Sequence, residues 1–235
     1  KYDDDIFFQK YSQMSRSQQG LAGAGEWETL RKLLPDFKDK RVLDLGCGYG
    51  WHCIYAMEHG ASSVVGVDIS HKMLEVAKEK THFPQVEYKC CAIEDVEFPE
   101  ESFDVILSSL AFHYVADYEI LVKKIYRILK SGGKLVFTAY GTQDWYYNEK
   151  GEILHFPVDN YYYEGKRTAV FLGEKVTKFH RTLTTYLNTL LSNGFIINHI
   201  VEPQPPENMM DIPGMQDEMR RPMMLLVKAA IPKKS

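Results

Sequence analysis

One stretch constrains this 235-residue chain more than any other: Val42-Leu43-Asp44-Leu45-Gly46-Cys47-Gly48-Tyr49-Gly50. It follows a strand-like run, Arg41–Leu45, and opens a helix-like run, Trp51–His59, which Gly60 closes. Glycine lacks a Cβ, so the backbone there turns tightly and approaches a ligand closely. Exposed N–H groups at the following helix start favour a negatively charged ligand group. Asp68 ends the next strand, 18 residues after Gly50, where a carboxylate can accept hydrogen bonds from both hydroxyls of a ribose. The glycines run G-x-G-x-G, and Trp51 stands where the dinucleotide pattern G-x-G-x-x-G needs its last glycine. Asp44, two residues ahead of Gly46, repels a pyrophosphate and suits a ligand that carries an ammonium group. A nicotinamide-dependent oxidoreductase is therefore disfavoured.

The rest of the chain continues the same rhythm. Ser63–Val67, Val86–Cys90, Phe103–Leu107 and Lys134–Thr138 read as strands. Ser70 caps a helix carrying Met73, Leu74, Val76 and Ala77. Asp117 caps another with Ile120, Leu121, Ile125, Ile128 and Leu129, ended by Gly132-Gly133. Strand–helix alternation at this pitch means right-handed crossovers and a mainly parallel, doubly wound sheet. Phe195–Val201 and Met223–Ala230 supply the sixth and seventh strands, joined without a strong helix, as in an antiparallel hairpin at the sheet edge. The expectation is one α/β domain over 1–235, a mostly parallel seven-stranded sheet with an antiparallel last strand.

Two segments interrupt the alternation. Residues 1–38 are helical in pattern, with Trp27, Leu30, Leu33 and Leu34 on one stripe, and read as an N-terminal lid; Asp3-Asp4-Asp5 reads as its solvated start. Residues 141–180 form an aromatic cap insertion: from Tyr140 to Tyr163, eight of 24 residues are aromatic, against 13% in the whole chain. That excess suits a wall near the carboxyl edge of the sheet better than a passive linker. The net charge of −4 disfavours a nucleic-acid partner. No apolar run approaches the length of a membrane span, and no signal segment is visible. Cys47, Cys53, Cys90 and Cys91 read as reduced thiols, which points to the cytoplasm. Cys47, His52 and Cys53 lack a second half, so no metal is expected.

Four segments in order resemble the class I S-adenosylmethionine-dependent methyltransferases, small-molecule branch, of the ubiquinone/menaquinone-biosynthesis type. They are Asp44–Gly50, Gly66-Val67-Asp68-Ile69-Ser70, Phe98–Ile106 and Leu129–Leu135. The resemblance implies a Rossmann-like fold and S-adenosyl-L-methionine as cofactor. It implies that Gly46, Cys47 and Gly48 hold the methionine part. Asp44 then faces its amino group, directly or through water; Asp68 holds the ribose and Ile69 packs on adenine. The family often has an acid after the third strand; here Cys91 or Ala92 takes that place, so the adenine contact falls to the backbone of Ala92 or Ile93.

Other candidates come from position. Ser109 and His113 follow the fourth strand and should line the site; His113 is a general base or a packing histidine. Arg16 pairs with the cofactor carboxylate if the N-terminal segment folds over the site. Tyr140, Trp145, His180 and Arg181 are candidates for contacting the acceptor, and His180 for proton transfer. The reading is methyl transfer to a small-molecule acceptor by in-line displacement at the sulfonium methyl. The alternative is a non-catalytic S-adenosylmethionine-binding regulator or partner subunit. Oligomeric state has no sequence signal.

Overall fold

The structure, a computed structural model, describes residues 2–140, 146–147, 149–150, 153–155, 160–212, 215–220 and 223–234. Its first layer is helical: α1 (Asp5–Ser12), α2 (Ser15–Gln19), a 3-10 turn at Gly20–Gly23, and α3 (Trp27–Leu33). The alternation follows as β1 (Arg41–Leu45), α4 (Trp51–Glu58), β2 (Ser63–Asp68), α5 (His71–Lys80), β3 (Val86–Cys90), β4 (Phe103–Ser109), α6 (Tyr118–Ile128) and β5 (Leu129–Tyr140). Two short antiparallel pairs come next, β6 (Tyr146–Tyr147) with β7 (Ile153–His155) and β8 (Gly165–Phe171) with β9 (Glu174–His180). The chain ends in α7 (Leu183–Ser192), β10 (Ile196–Val201), a short α8 (Met215–Glu218) and β11 (Met224–Ala230).

Seven strands form one sheet in the order β10-β11-β5-β4-β1-β2-β3. The pairings from β3 to β5 are parallel, and β11 is antiparallel to both of its neighbours. The fold is the Rossmann-like, doubly wound α/β class with an antiparallel last strand. Period-two burial makes it two-faced. Leu43, Ile106, Phe137 and Val227 belong to the core under α6 and α7, while Val42, Val105, Val136 and Leu226 belong to the core under α3 and α4. Among the described residues, no helix is long and apolar enough to cross a membrane.

The last two strands form the expected antiparallel hairpin at the sheet edge, with β11 next to β5 and β10 outermost. Two other local readings differ from the structure. Helix α6 stops at Ile128, before the glycine pair. Leu129 is already extended and pairs with Phe103; the register then jumps to Val105–Lys134, so Gly132, at φ +74°, belongs to a bulge in β5. Asp3 is not merely solvated. It accepts bonds from Ser70 Oγ at 2.6 Å and from the Lys72 N–H at 3.1 Å, while Asp4 caps α1 through the Phe7 N–H. Asp5 pairs with Lys72. The N-terminal helices are thereby tied to the start of α5.

Candidate functional site

The sheet's carboxyl edge opens on a cavity of about 1440 Å3. The turn after β1 forms its floor. Gly46 and Cys47 both donate their N–H to the Val67 carbonyl, at 2.8 and 2.9 Å, which fastens the loop to β2. Gly46 sits at φ +78°, and a Cβ there would stand 2.4 Å from the Ala111 Cβ, so only glycine fits. Gly48 differs: a Cβ would meet nothing within 4 Å, because that position faces the open cavity. Its N–H donates to Asp68 Oδ2 at 2.9 Å, and the Ser70 N–H donates to Oδ1 at 2.9 Å. Burial is the main influence on the Asp68 carboxyl and raises its pKa, against the pull of these backbone bonds.

Gly46, Gly48, Asp68, Ile69, Ala92 and Ile93 all line this cavity. So do Ser109, His113 and Arg16, and so do Glu94 and Asp95, just beyond Ile93. Ile69 is 63% exposed although it is a large apolar residue. Cys47 lines a smaller adjoining cavity of about 70 Å3. Asp44 lines neither. It lies behind the loop, 1% exposed; its Oδ2 accepts from Cys53 Sγ at 3.5 Å, and its Oδ1 has no hydrogen-bond partner among the described residues. Burial raises its pKa to about 7, with Asp68 adding to the rise and Cys53 opposing it.

Beyond the floor, β4 ends at Ser109, and Leu110 follows in the left-handed region at φ 55°, bonded through its N–H to Thr138 Oγ1 at 2.8 Å. That strained bend carries a 3-10 turn, Phe112–Tyr114, into the cavity wall. His113 lines the cavity but is only 1% exposed. Burial, with the positive charges of Lys178 and Arg181, holds its pKa well below the usual histidine value. It is therefore a neutral imidazole at physiological pH.

The acceptor-side candidates spread further than expected. The His180 ring meets the Tyr161 carbonyl at 2.8 Å, is 6% exposed, and is not among the lining residues. Arg181 spends its guanidinium on the carbonyls of Phe112 at 3.3 Å, Val115 and Ala116 at 3.0 Å. It clamps the turn that carries His113 and does not line the cavity. Trp145 and the side chain of Tyr140 lie outside the described residues; the Tyr140 backbone pairs with Met224.

Sequence reading missed several wall residues. Tyr2, Tyr11 and Met14 enter from the N-terminal segment, and Arg167, Phe171 and Lys178 from the β8–β9 hairpin. The Tyr2 and Tyr114 hydroxyls are hydrogen-bonded at 3.0 Å, and burial raises both phenols' pKa. Glu26 carried no signal beyond its place before α3. It is 3% exposed, lines both cavities and pairs with Arg16. Its Oε2, with Ser17 Oγ and Trp51 Nε1, has no hydrogen-bond partner among the described residues. Also among the described residues, no group of three or more His, Cys, Asp or Glu could hold a metal ion.

Comparison with known proteins gives one family. Residues 43–137 match the model of a methyltransferase domain. The crystal structure of an S-adenosylmethionine-dependent methyltransferase from Mesorhizobium loti is 39% identical, with a TM-score of 0.81, covering 90% of this chain and 100% of that one. A structure from Listeria monocytogenes assigned to the same class is 53% identical, with a TM-score of 0.86, covering 92% of this chain and 100% of its own. Phosphoethanolamine N-methyltransferase 3 of Arabidopsis thaliana is 33% identical over 52% of this chain, a match that spans 26% of the plant protein. Full-length likeness at this identity, on a sheet whose glycine turn and Asp68 face one cavity, puts the chain in the class I S-adenosylmethionine-dependent methyltransferases.

Proposed function

We propose that this methyltransferase transfers the methyl group of S-adenosylmethionine to a small-molecule acceptor held between the glycine turn, the N-terminal helices and the β8–β9 hairpin. The observation that carries this reading is the cavity itself. Its floor is the cofactor motif, and its other walls come from the N-terminal segment, the turn after β4, the β8–β9 hairpin and the loop around Pro206, with Tyr2, Tyr11, Tyr114 and Phe171 as their aromatic side chains. A space so roofed suits a metabolite better than a nucleic-acid strand or a protein surface.

The residues present fit the cofactor. Open space over Gly48 admits a ligand backbone. Asp68 can accept from ribose hydroxyls while holding the loop, and the exposed face of Ile69 suits adenine. The backbone of Ala92 and Ile93, with Asp95 close by, borders the adenine end. The unpartnered buried polar atoms beside Arg16 suit a charged amino-acid tail. Bound there, the cofactor supplies an electrophilic methyl group.

The chain's own contribution is alignment, which can lower a barrier by several kcal/mol. The Tyr2, Tyr11 and Tyr114 rings offer faces that steady a sulfonium cation, and their hydroxyls stay protonated. Neutral His113 can accept a hydrogen bond from an acceptor N–H or O–H and orient its lone pair. Lys178, packed against the Tyr114 and Phe171 rings, has its pKa lowered by burial. A cation in that wall favours an acceptor with an anionic group. Residues 1–38 then serve as a lid and the hairpin as a cap. Four free thiols, two of them buried, fit a reducing cytoplasmic setting.

The test is consumption of methyl-labelled cofactor against a panel of small metabolites, with anionic amines, phenols and carboxylates represented, beside RNA and protein extracts. Turnover on a small molecule is expected. Label appearing in macromolecules alone would overturn the reading.

A further inference from the structure

The smaller cavity, which shares Gly46, Gly48, Arg16 and Glu26 with the larger one, has an unusual charge inventory. Among its described lining residues the charged side chains are Arg16 and Glu26, and they pair with each other. His52 is also there, but burial lowers its pKa to about 4, so it is neutral. Tyr11 is pushed up to about 12 by burial and stays protonated. The ion pair uses one oxygen of Glu26. The other, Oε2, is buried with no hydrogen-bond partner among the described residues, and so are the nearby Ser17 Oγ and Trp51 Nε1. Buried carboxylate oxygens are rarely left this way, because the lost hydration is costly. Asp44, the carboxylate that the motif singles out, lies behind the loop and lines neither cavity.

We infer that Glu26, from the N-terminal segment, is the residue that receives the ammonium group of the cofactor's amino-acid tail. The inference rests on the cofactor reading above and adds a specificity residue to it. A zwitterion entering beside an Arg–Glu pair gives each charge a second opposite neighbour: its carboxylate meets Arg16, and its ammonium meets the unpartnered Oε2 of Glu26. The local charge stays balanced, and the orphaned acceptor gains a donor. The lid therefore does more than cover the site, because it carries half of the recognition of the tail.

A rival role for Glu26 is to hold Arg16 in place for the carboxylate, and ligand chemistry separates the two. Three thioether probes share the nucleoside: S-adenosylhomocysteine has both charged groups, S-adenosyl-3-thiopropylamine has the ammonium alone, and methylthioadenosine has neither. Dissociation constants by calorimetry are compared for wild type and Glu26→Gln, which keeps the shape and loses the charge. Glu26→Gln should weaken the first two by roughly 10- to 100-fold, the range for a charged hydrogen bond, and leave methylthioadenosine unchanged. Loss confined to S-adenosylhomocysteine, equal loss for all three probes, or no loss would overturn the assignment. If the variant does not fold, wild type still decides: S-adenosyl-3-thiopropylamine must bind more tightly than methylthioadenosine, and equal affinities would overturn the inference. Methylthioadenosine binding to wild type reports on the nucleoside site separately, so a failure of the cofactor reading would be seen on its own.

Discussion

Asp44 is a carboxylate whose burial has a cost that can be measured. Its folded pKa is about 7, against about 4 for an ordinary carboxyl. The folded protein thus holds a proton that the unfolded chain releases. A group with a raised folded pKa contributes its full stability below the unfolded value and loses it as pH rises through the folded one. The window here is therefore pH 4 to 7, with a slope of about 1.4 kcal/mol per pH unit. Between about pH 5 and pH 8, two units of that window are crossed, so wild type loses roughly 3 kcal/mol relative to a residue that cannot titrate. Asp44→Asn supplies such a residue at nearly constant shape. Any fixed cost of the amide, including a weaker bond to Cys53, shifts all pH values alike. For a chain of this size roughly 3 kcal/mol corresponds to about 6–12 °C. Thermal unfolding of ligand-free protein should therefore show the Asn variant gaining on wild type by about that amount between pH 5 and pH 8, and levelling off above it. A difference in Tm that stays flat across the range, or that shrinks as pH rises, would refute the placement of a protonated carboxyl behind the loop.

Three further outcomes follow from the site. Asp68→Ala removes an acceptor common to every adenosine ligand and frees the Gly48 N–H. It should weaken S-adenosylhomocysteine and methylthioadenosine equally, by about 10- to 150-fold in calorimetry; an effect limited to one of them would refute a ribose contact. Gly46→Ala should lower Tm, because its Cβ would clash with Ala111, whereas Gly48→Ala meets no neighbour and should impair cofactor binding more than it impairs Tm. Since His113 is held well below the usual histidine pKa, kcat/KM should show no His113-dependent inflection between about pH 6 and 8. A step near 6.5 that disappears in His113→Gln would contradict this.

Local chemistry was readable where it is written into one segment. The strand, the glycines at 46, 48 and 50, and the acid at 68 give the turn and its partner directly, because positive φ and a strand-end carboxylate need particular residues. Ser70 and Asp117 as caps were legible for the same reason. Long-range order was less visible. Nothing in Met224–Ala230 says that it enters between β5 and β10, since any apolar strand satisfies either place. Asp44 looks ligand-facing by spacing, yet strand alternation and its neighbour Cys53 turn it behind the loop. Glu26 has no motif; its importance comes from a helix packing back over a turn some 20 residues later. His180 and Arg181 sit beside the insertion in sequence, but the first meets the Tyr161 carbonyl and the second the carbonyls under His113.

The position of β11 also bears on how the molecule is made. Its ladder with β5 joins residues as distant as Lys134 and Ala230, 96 positions apart. In the described sheet β10 has β11 as its sole neighbour. As the chain leaves the ribosome, β1 to β5 can assemble through short crossovers while the outer edge of β5 stays bare. β10 then emerges with no ladder to join. Both remain unpaired until residue 230 has been synthesised and the last strand slides between them. An exposed edge is a template for the wrong partner, and non-local pairing is slow. The interval between translation of β5 and of β11 is thus the stretch in which a nascent chain of this protein most depends on chaperones, and a ribosome stalled there should hold a species that aggregates on release.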